Sequence, residues 1–244
     1  MSTITEDYYL CEGIYLKANE NKKELIDERK CNKKLHIDTN DNDKITIFER
    51  EVKEWIIHPI NTLIKDDIKK IKTIKDSSGN KIKIVHYKYK PFKNAIAILF
   101  SAFSYIEKIQ RYYKGEPFID GSRNTSSTTL LGEGLKRIFN NLQSINDNDL
   151  KDILKKTRHS MMHYGMIGDS VLLNYLHKDF DEAIKYDSTT KNIKISPYHL
   201  YNSILKDFEN YIKLLKTPTE TTRLSNFKTV FEKVYEDEIN HLRP

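Results

Sequence analysis

The stretch Thr157-Arg158-His159-Ser160-Met161-Met162-His163-Tyr164-Gly165 gathers a guanidinium, two imidazoles and two kinds of hydroxyl in a short span. A guanidinium holds a phosphate bidentately and neutralises charge developing on it, and an imidazole moves protons near neutral pH. Such groups can drive attack of a ribose 2′-hydroxyl on the adjacent phosphodiester. His takes the proton from the nucleophile or gives one to the leaving 5′-oxygen, while Arg steadies the phosphoryl oxygens. One His cannot be base and acid at once, so two copies of the stretch, meeting across a two-fold axis, would supply both. Chance places an Arg five residues before a His about once in four chains of this composition, so context has to carry the weight. Residues five apart stand about 140° around an ideal helix, so Arg158 and His163 share one cleft only if it is wide or the last turn is distorted. His159 and His163, four apart, share a face.

The elements that position this stretch read as helices. Ile96, Leu99, Phe100, Phe103, Ile106, Ile109 and Tyr113 recur at three- and four-residue steps and predict a helix from Asn94 to Lys114, stopped by Gly115. After a loop over Gly115–Thr128, a second helix carries Leu130, Leu131, Leu135, Ile138, Phe139 and Leu142. A third, capped near Asp147 or Asn148, carries Leu150, Ile153, Leu154 and Met161 up to Gly165. The short connection between these two makes them antiparallel neighbours. Ala183–Tyr186 and Asn192–Ile195 flank a turn and predict a small hairpin. Ser196-Pro197 opens a further helix through Tyr201, Ile204, Leu205, Phe208, Ile212 and Leu215, with Pro218 beyond its end, and a last helix spans about Leu224 to Leu242.

Upstream the pattern is weaker. To about residue 46 the chain is polar and irregular. Phe48, Val52, Trp55, Ile56, Ile60, Leu63 and Ile64 predict a helix over Ile47–Ile74, kinked at Pro59. Ser77-Ser78-Gly79-Asn80 is a turn, and Lys81–Lys90 alternates as a strand. The predicted fold class is therefore mainly α: residues 1–90 form a mixed α/β accessory region and residues 91–244 an antiparallel helical bundle.

The segment Asp38–Glu49 resembles an EF-hand calcium loop, with Asp38, Asn40, Asn42, Lys44, Thr46 and Glu49 at the ligand positions, but Asp43 stands where the sharp turn wants Gly and no second hand exists. The alternation Leu35, Ile37, Ile45, Ile47 favours a β-hairpin around Asn40–Asp43 over calcium binding. Arg29 and His36 form a second Arg-to-His pair, read as coincidence. His159 and His163 could ligate zinc, but a third ligand and the Glu of a protease motif are missing. Among the 15 tyrosines, those near lysines, such as Tyr87 and Tyr89, could stack on bases, but at helical spacing core edges are the commoner use.

The segment Arg158-His159-Ser160-Met161-Met162-His163 resembles the Arg-x4-His signature of HEPN-domain proteins, with His159 as the polar residue after the Arg. The resemblance covers about residues 93–240. It implies an antiparallel bundle of four or five helices and a homodimeric, metal-independent endoribonuclease with a composite active site. By it Arg158 and His163 are the catalytic pair, and His159, Ser160 and Tyr164 position the substrate. In the HEPN toxins silenced by nucleotide transfer a Tyr stands two places after the His. Here Gly165 holds that place and Tyr164 comes one earlier, which argues against control by tyrosine adenylylation. The expected partners are RNA, with tRNA and mRNA as candidates, a second copy of the chain, and an antitoxin or regulator in a defence or toxin-like system. No metal, no other cofactor and no membrane are called for. The alternative is a non-catalytic, RNA- or nucleotide-binding regulatory dimer.

Composition fits a nucleic-acid partner without requiring one. Of 244 residues, 38% are hydrophobic and 31% charged, and the net charge is +6. Gly 8 and Pro 6 exclude collagen-like and Pro-rich disordered classes. Neither a run of about eighteen apolar residues nor a leader-like N-terminus occurs, so the expected location is the cytoplasm. Cys11 and Cys31 are expected to be free thiols.

Overall fold

The computed structural model describes residues 7–17, 24–37, 39–68, 71–75, 77–85, 94–117, 126–173 and 182–241. The chain is mainly helical, with a small antiparallel sheet near the N-terminus and a minor sheet later in the sequence. Two compact units interleave along the chain. One comprises residues 1–57, 108–126 and 208–244, the other residues 58–107 and 127–207.

In the first unit, β1 (Tyr8–Cys11), β2 (Ile14–Leu16), β3 (Glu24–Asp27) and β4 (Lys33–His36) form an antiparallel meander in the order β1-β2-β3-β4. The polar N-terminal stretch is thus ordered in pairs, with alternate residues such as Cys11, Ile14, Leu16, Leu25 and Leu35 buried. Asp27 is fully buried, accepts from the Arg29 N–H at 3.2 Å, and is gripped by both terminal nitrogens of Arg50 at 2.5 and 3.0 Å.

The hairpin expected around Asn40–Asp43 is not there. Asn40 is instead the N-cap of α1 (Asp41–Val52), its side chain accepting from the Asn42 N–H at 3.0 Å. Asx residues serve turns and caps by the same hydrogen bond, and two acidic residues in the first turn complement the helix dipole. Residues of the EF-hand resemblance are engaged in other contacts, with Asn40 capping the helix and the Thr46 hydroxyl donating to the Asn42 carbonyl at 2.8 Å. Asp43 accepts from the His36 N–H at 3.0 Å and from Lys33 at 3.3 Å, while Glu49 pairs with Lys53 and Lys216. Asp38 lies outside the described residues.

The helix expected over Ile47–Ile74 is three elements: α1, a π turn over Lys53–Ile57, and α2 (His58–Ile68), with Pro59 just after the π turn, where the regular α-helical bonding is already interrupted. Ile71–Lys75 is then a strand, β5, paired with β6 (Lys81–Val85) across the expected turn. Residues 86–90 of the expected strand lie outside the described residues.

Phe48 of α1 is fully buried at the centre of the first unit. Its ring centroid lies 4.5 Å from Tyr112, on the C-terminal part of α3 (Ala95–Lys114), and 5.3 Å from Phe227, on α8 (Thr221–His241). Tyr211, on α7 (Pro197–Leu215), meets it edge-on at 6.2 Å. The α3 helix ends where Gly115 takes φ +71°; a Cβ there would be strained by that φ and would stand 2.8 Å from the Asn226 side chain, so glycine is favoured.

The two cysteines differ. Cys11 is 2% exposed, and burial pushes its thiol up to about 12, whereas Cys31 is exposed at a left-handed turn position. One thiol per folded chain should therefore react rapidly with a disulfide reagent at pH 8 and the second only in denaturant. Two fast thiols would contradict the packing of β1.

The second unit holds α2, the β5–β6 hairpin, the first part of α3, α4 (Ser127–Ile138), α5 (Asp147–Leu154), α6 (Ser160–Tyr164) and most of α7. The expected hairpin is β8 (Ile184–Tyr186) against β9 (Ile193–Ile195), and a third strand, β7 (Val171–Leu173), joins β9 in parallel. The predicted neighbours α4 and α5 do meet, at Gly132: a Cβ there would come 2.9 Å from Leu150. Asp207 on α7 pairs with Arg137 on α4 and accepts from the Tyr105 hydroxyl on α3 at 2.8 Å, tying three helices together. No described helix is long and apolar enough to cross a membrane.

Candidate functional site

The stretch singled out by its chemistry begins in a π turn over Lys155–His159 that links α5 to α6. Two side-chain hydroxyls bond backbone carbonyls across the widened turn. The Thr157 hydroxyl donates back to the Ile153 carbonyl at 2.6 Å, and the Ser160 hydroxyl donates to the Lys155 carbonyl at 2.9 Å. The Ser160 N–H reaches Lys155, five residues back, so the Lys156 carbonyl loses its α-helical partner. The Gly168 N–H takes it at 2.7 Å. That return of the chain favours glycine, since a Cβ at Gly168 would stand a tight 3.0 Å from the Lys156 carbonyl oxygen and 3.2 Å from the Ser160 hydroxyl.

The π turn ends at His159, so its smaller angular step applies only at the start of the interval from Arg158 to His163, and their offset falls only slightly below the roughly 140° of an ideal helix. The inward face carries Ile153, Leu154, Thr157 and Met161, all buried, and leaves His159 and His163 exposed. Gly165 caps the helix in the left-handed conformation, its N–H on the Met161 carbonyl.

The polar residues are disposed as follows. The imidazoles of His159 and His163 lie with ring centroids 4.2 Å apart, as the four-residue spacing predicts. Arg158 is 28% exposed and bonds through one terminal nitrogen to Glu107 at 3.2 Å, leaving further N–H donors on the same guanidinium. The Ser160 hydroxyl is committed to the turn. The Tyr164 side chain lies outside what is described. Arg29, of the second Arg-to-His pair, is bound to Glu12 and Glu54. Among the described residues no group of three or more His, Cys, Asp or Glu side chains could hold a metal ion.

A polar buttress supports the turn from the other side. Lys156 bonds Asp152 at 2.9 Å and the Lys191 carbonyl at 2.9 Å. The Tyr186 hydroxyl donates to Asp149 at 3.0 Å and Asp152 at 3.2 Å, while Lys191 bonds Asp149 at 2.8 Å. Desolvation, followed by the bond to Asp149, pushes the Tyr186 hydroxyl up to about 12, so it remains a donor through the physiological range.

Glu107 and this buttress escape sequence reasoning. Glu107 is 51 residues from Arg158, on a helix recognisable only by its apolar face, and no local pattern marks it. Glu107→Ala should test its part: with the carboxylate and its bond both removed, RNA should bind several-fold more tightly while kcat falls about tenfold as the guanidinium loses its fixed position. Unchanged kcat and KM would leave Glu107 a bystander.

No family model, no curated protein and no solved structure matches the chain.

Proposed function

We propose that the protein is a homodimeric, metal-independent endoribonuclease of the HEPN type, its helices from residue 91 onward forming that family's bundle. It acts in the cytoplasm in a defence or toxin-like system. The observation that carries the reading is the pairing of a pre-held guanidinium with an exposed imidazole around a π turn, a distortion frequent at functional sites. In this reading Arg158 binds the scissile phosphate and the charge gathering on its oxygens. His163 of one copy takes the proton from the 2′-hydroxyl, and His163 of the other gives one to the leaving 5′-oxygen. The bond from phosphorus to the 5′-oxygen breaks as the bond to the 2′-oxygen forms, giving a 2′,3′-cyclic phosphate and a 5′-hydroxyl. His159, its ring tilted against that of His163, orients that ring, and Ser160 acts through the turn it closes.

A second reading is favoured by the Glu107 contact. An arginine already neutralised by a carboxylate suits a regulatory dimer that binds RNA or a nucleotide without turnover. Incubation of the protein with total RNA and tRNA in EDTA, followed by end-group analysis, separates the two. Cyclic phosphate ends are the expected result. Binding without cleavage would replace the nuclease with the regulator, and cleavage only on adding a divalent ion would overturn the metal-independent mechanism.

A further inference from the structure

The positive charge of this protein is not spread along the chain. Between Lys69 and Lys93 the sequence holds nine lysines against Asp76 alone, a surplus of eight, while the whole chain carries +6. The remaining residues are therefore net acidic by two. Within this stretch the structure describes the β5–β6 hairpin, whose register places Lys75 opposite Lys81 and Thr73 opposite Lys83. Directly opposed residues share a face of an antiparallel pair, and so do residues two apart on one strand. Lys75, Lys81, Lys83, Thr73, Ile71 and Val85 thus occupy one face. Ile74, Ile82, Ile84 and Lys72 occupy the other. Like charges directly opposite each other destabilise a ribbon. No salt bridge or side-chain hydrogen bond engages Lys75 or Lys81 among the described residues, and the turn between them is exposed.

We propose that the basic face of the β5–β6 ribbon, formed by Lys75, Lys81 and Lys83, is a phosphate-binding arm that grips the backbone of the RNA. The inference rests on the ribonuclease reading for the identity of the nucleic acid, and on the ribbon alone for the location of the grip. A two-stranded ribbon is slim enough to follow a nucleic-acid backbone or enter a groove. Lys81 and Lys83 are about 6.8 Å apart along the strand, and the opposed Lys75 and Lys81 backbones about 5 Å apart, so three ammonium groups can follow successive phosphates. The anion relieves the repulsion that the register imposes. A bilayer is the less suitable partner: its binding needs apolar residues beside the charges, and on this face Lys75 and Lys81 stand at the turn while the apolar pair Ile71 and Val85 stands at the other end of the ribbon. Lysines without a planar guanidinium fork read phosphate as point charges, so the arm contributes affinity rather than sequence preference.

The test uses the full chain carrying His163→Ala, so that RNA stays intact, with a labelled 24-nucleotide single-stranded RNA titrated by anisotropy from 50 to 200 mM salt. The triple variant Lys75→Gln/Lys81→Gln/Lys83→Gln should bind at least tenfold more weakly at 100 mM salt. Its log K against log salt should be shallower by about 2, three phosphates' worth for a single strand. Lys72→Gln, on the other face, should change Kd less than twofold, and the corresponding triple Arg variant should retain binding. An unchanged slope in the triple Gln variant would overturn the arm, as would an equal loss in Lys72→Gln. Sedimentation with phosphatidylserine vesicles that needs the three lysines, while RNA binding does not, would reassign the ribbon to membranes. The two claims fail separately: cleavage by the parent protein with lysine-independent binding removes the arm alone, and lysine-dependent binding without cleavage removes the nuclease alone.

Discussion

Alanine at His163 should lower RNA cleavage by about 10²–10⁴-fold, the range over which a positioned general acid or base acts. Arg158→Ala should cost a similar factor, because the guanidinium is assigned the charge that appears only in the transition state. Both positions lie outside the buried face of Ile153, Leu154, Thr157 and Met161, and Gly165 ends the helix independently of either side chain. Helical content by circular dichroism and the melting temperature should therefore stay near those of the parent. The two variants should separate in binding. Arg158→Ala weakens RNA affinity by removing a phosphate contact and leaves Glu107 without this cation, whereas His163→Ala keeps affinity and loses turnover. A parent-like rate in either variant sinks the catalytic assignment. Loss of rate together with loss of helix would point to a structural role instead.

Phe48→Ala carries the largest expected cost in stability, about 3–5 kcal/mol. The ring is fully buried and meets Tyr112, Tyr211 and Phe227, so its removal forfeits both the transfer of a large apolar surface and the edge-on and tilted aromatic contacts. Because those partners belong to three other helices, the space cannot close by one side chain moving. For a chain of this size the cost corresponds to a fall in melting temperature of about 10 °C. Phe48→Leu should recover more than half of it. A fall of under 2 °C for the alanine variant would show that the aromatic cluster does not hold the first unit together.

What was legible in the sequence was what one face of one element decides. The three- and four-residue steps of α3, α4 and α7 mark their buried sides, and Ser196-Pro197 and Gly115 mark ends because a cap hydroxyl, a missing N–H and a positive φ act within a turn. The clustering of Arg158, His159 and His163 was legible for the same reason, being local to one helix end. Errors arose where the local signal serves two structures. Asn40 and Asp43 suit a tight turn as well as a cap, and Ile45 and Ile47 suit alternation until Phe48 and Val52 are packed, so a helix was read as a hairpin. Ile71 and Ile74 continue a helical spacing, and only pairing with Val85 and Ile82 makes them a strand. The Glu107 contact, the Gly168 return and the Tyr186–Asp149–Lys191 buttress could not be read at all, because each joins residues distant in sequence through hydrogen bonds that exist only once the helices have packed. Residue types and helical period thus determined which groups are available for chemistry. The tertiary structure decided how they are held, since an ion pair across 51 residues and a carbonyl released by a π turn are properties of the packed chain.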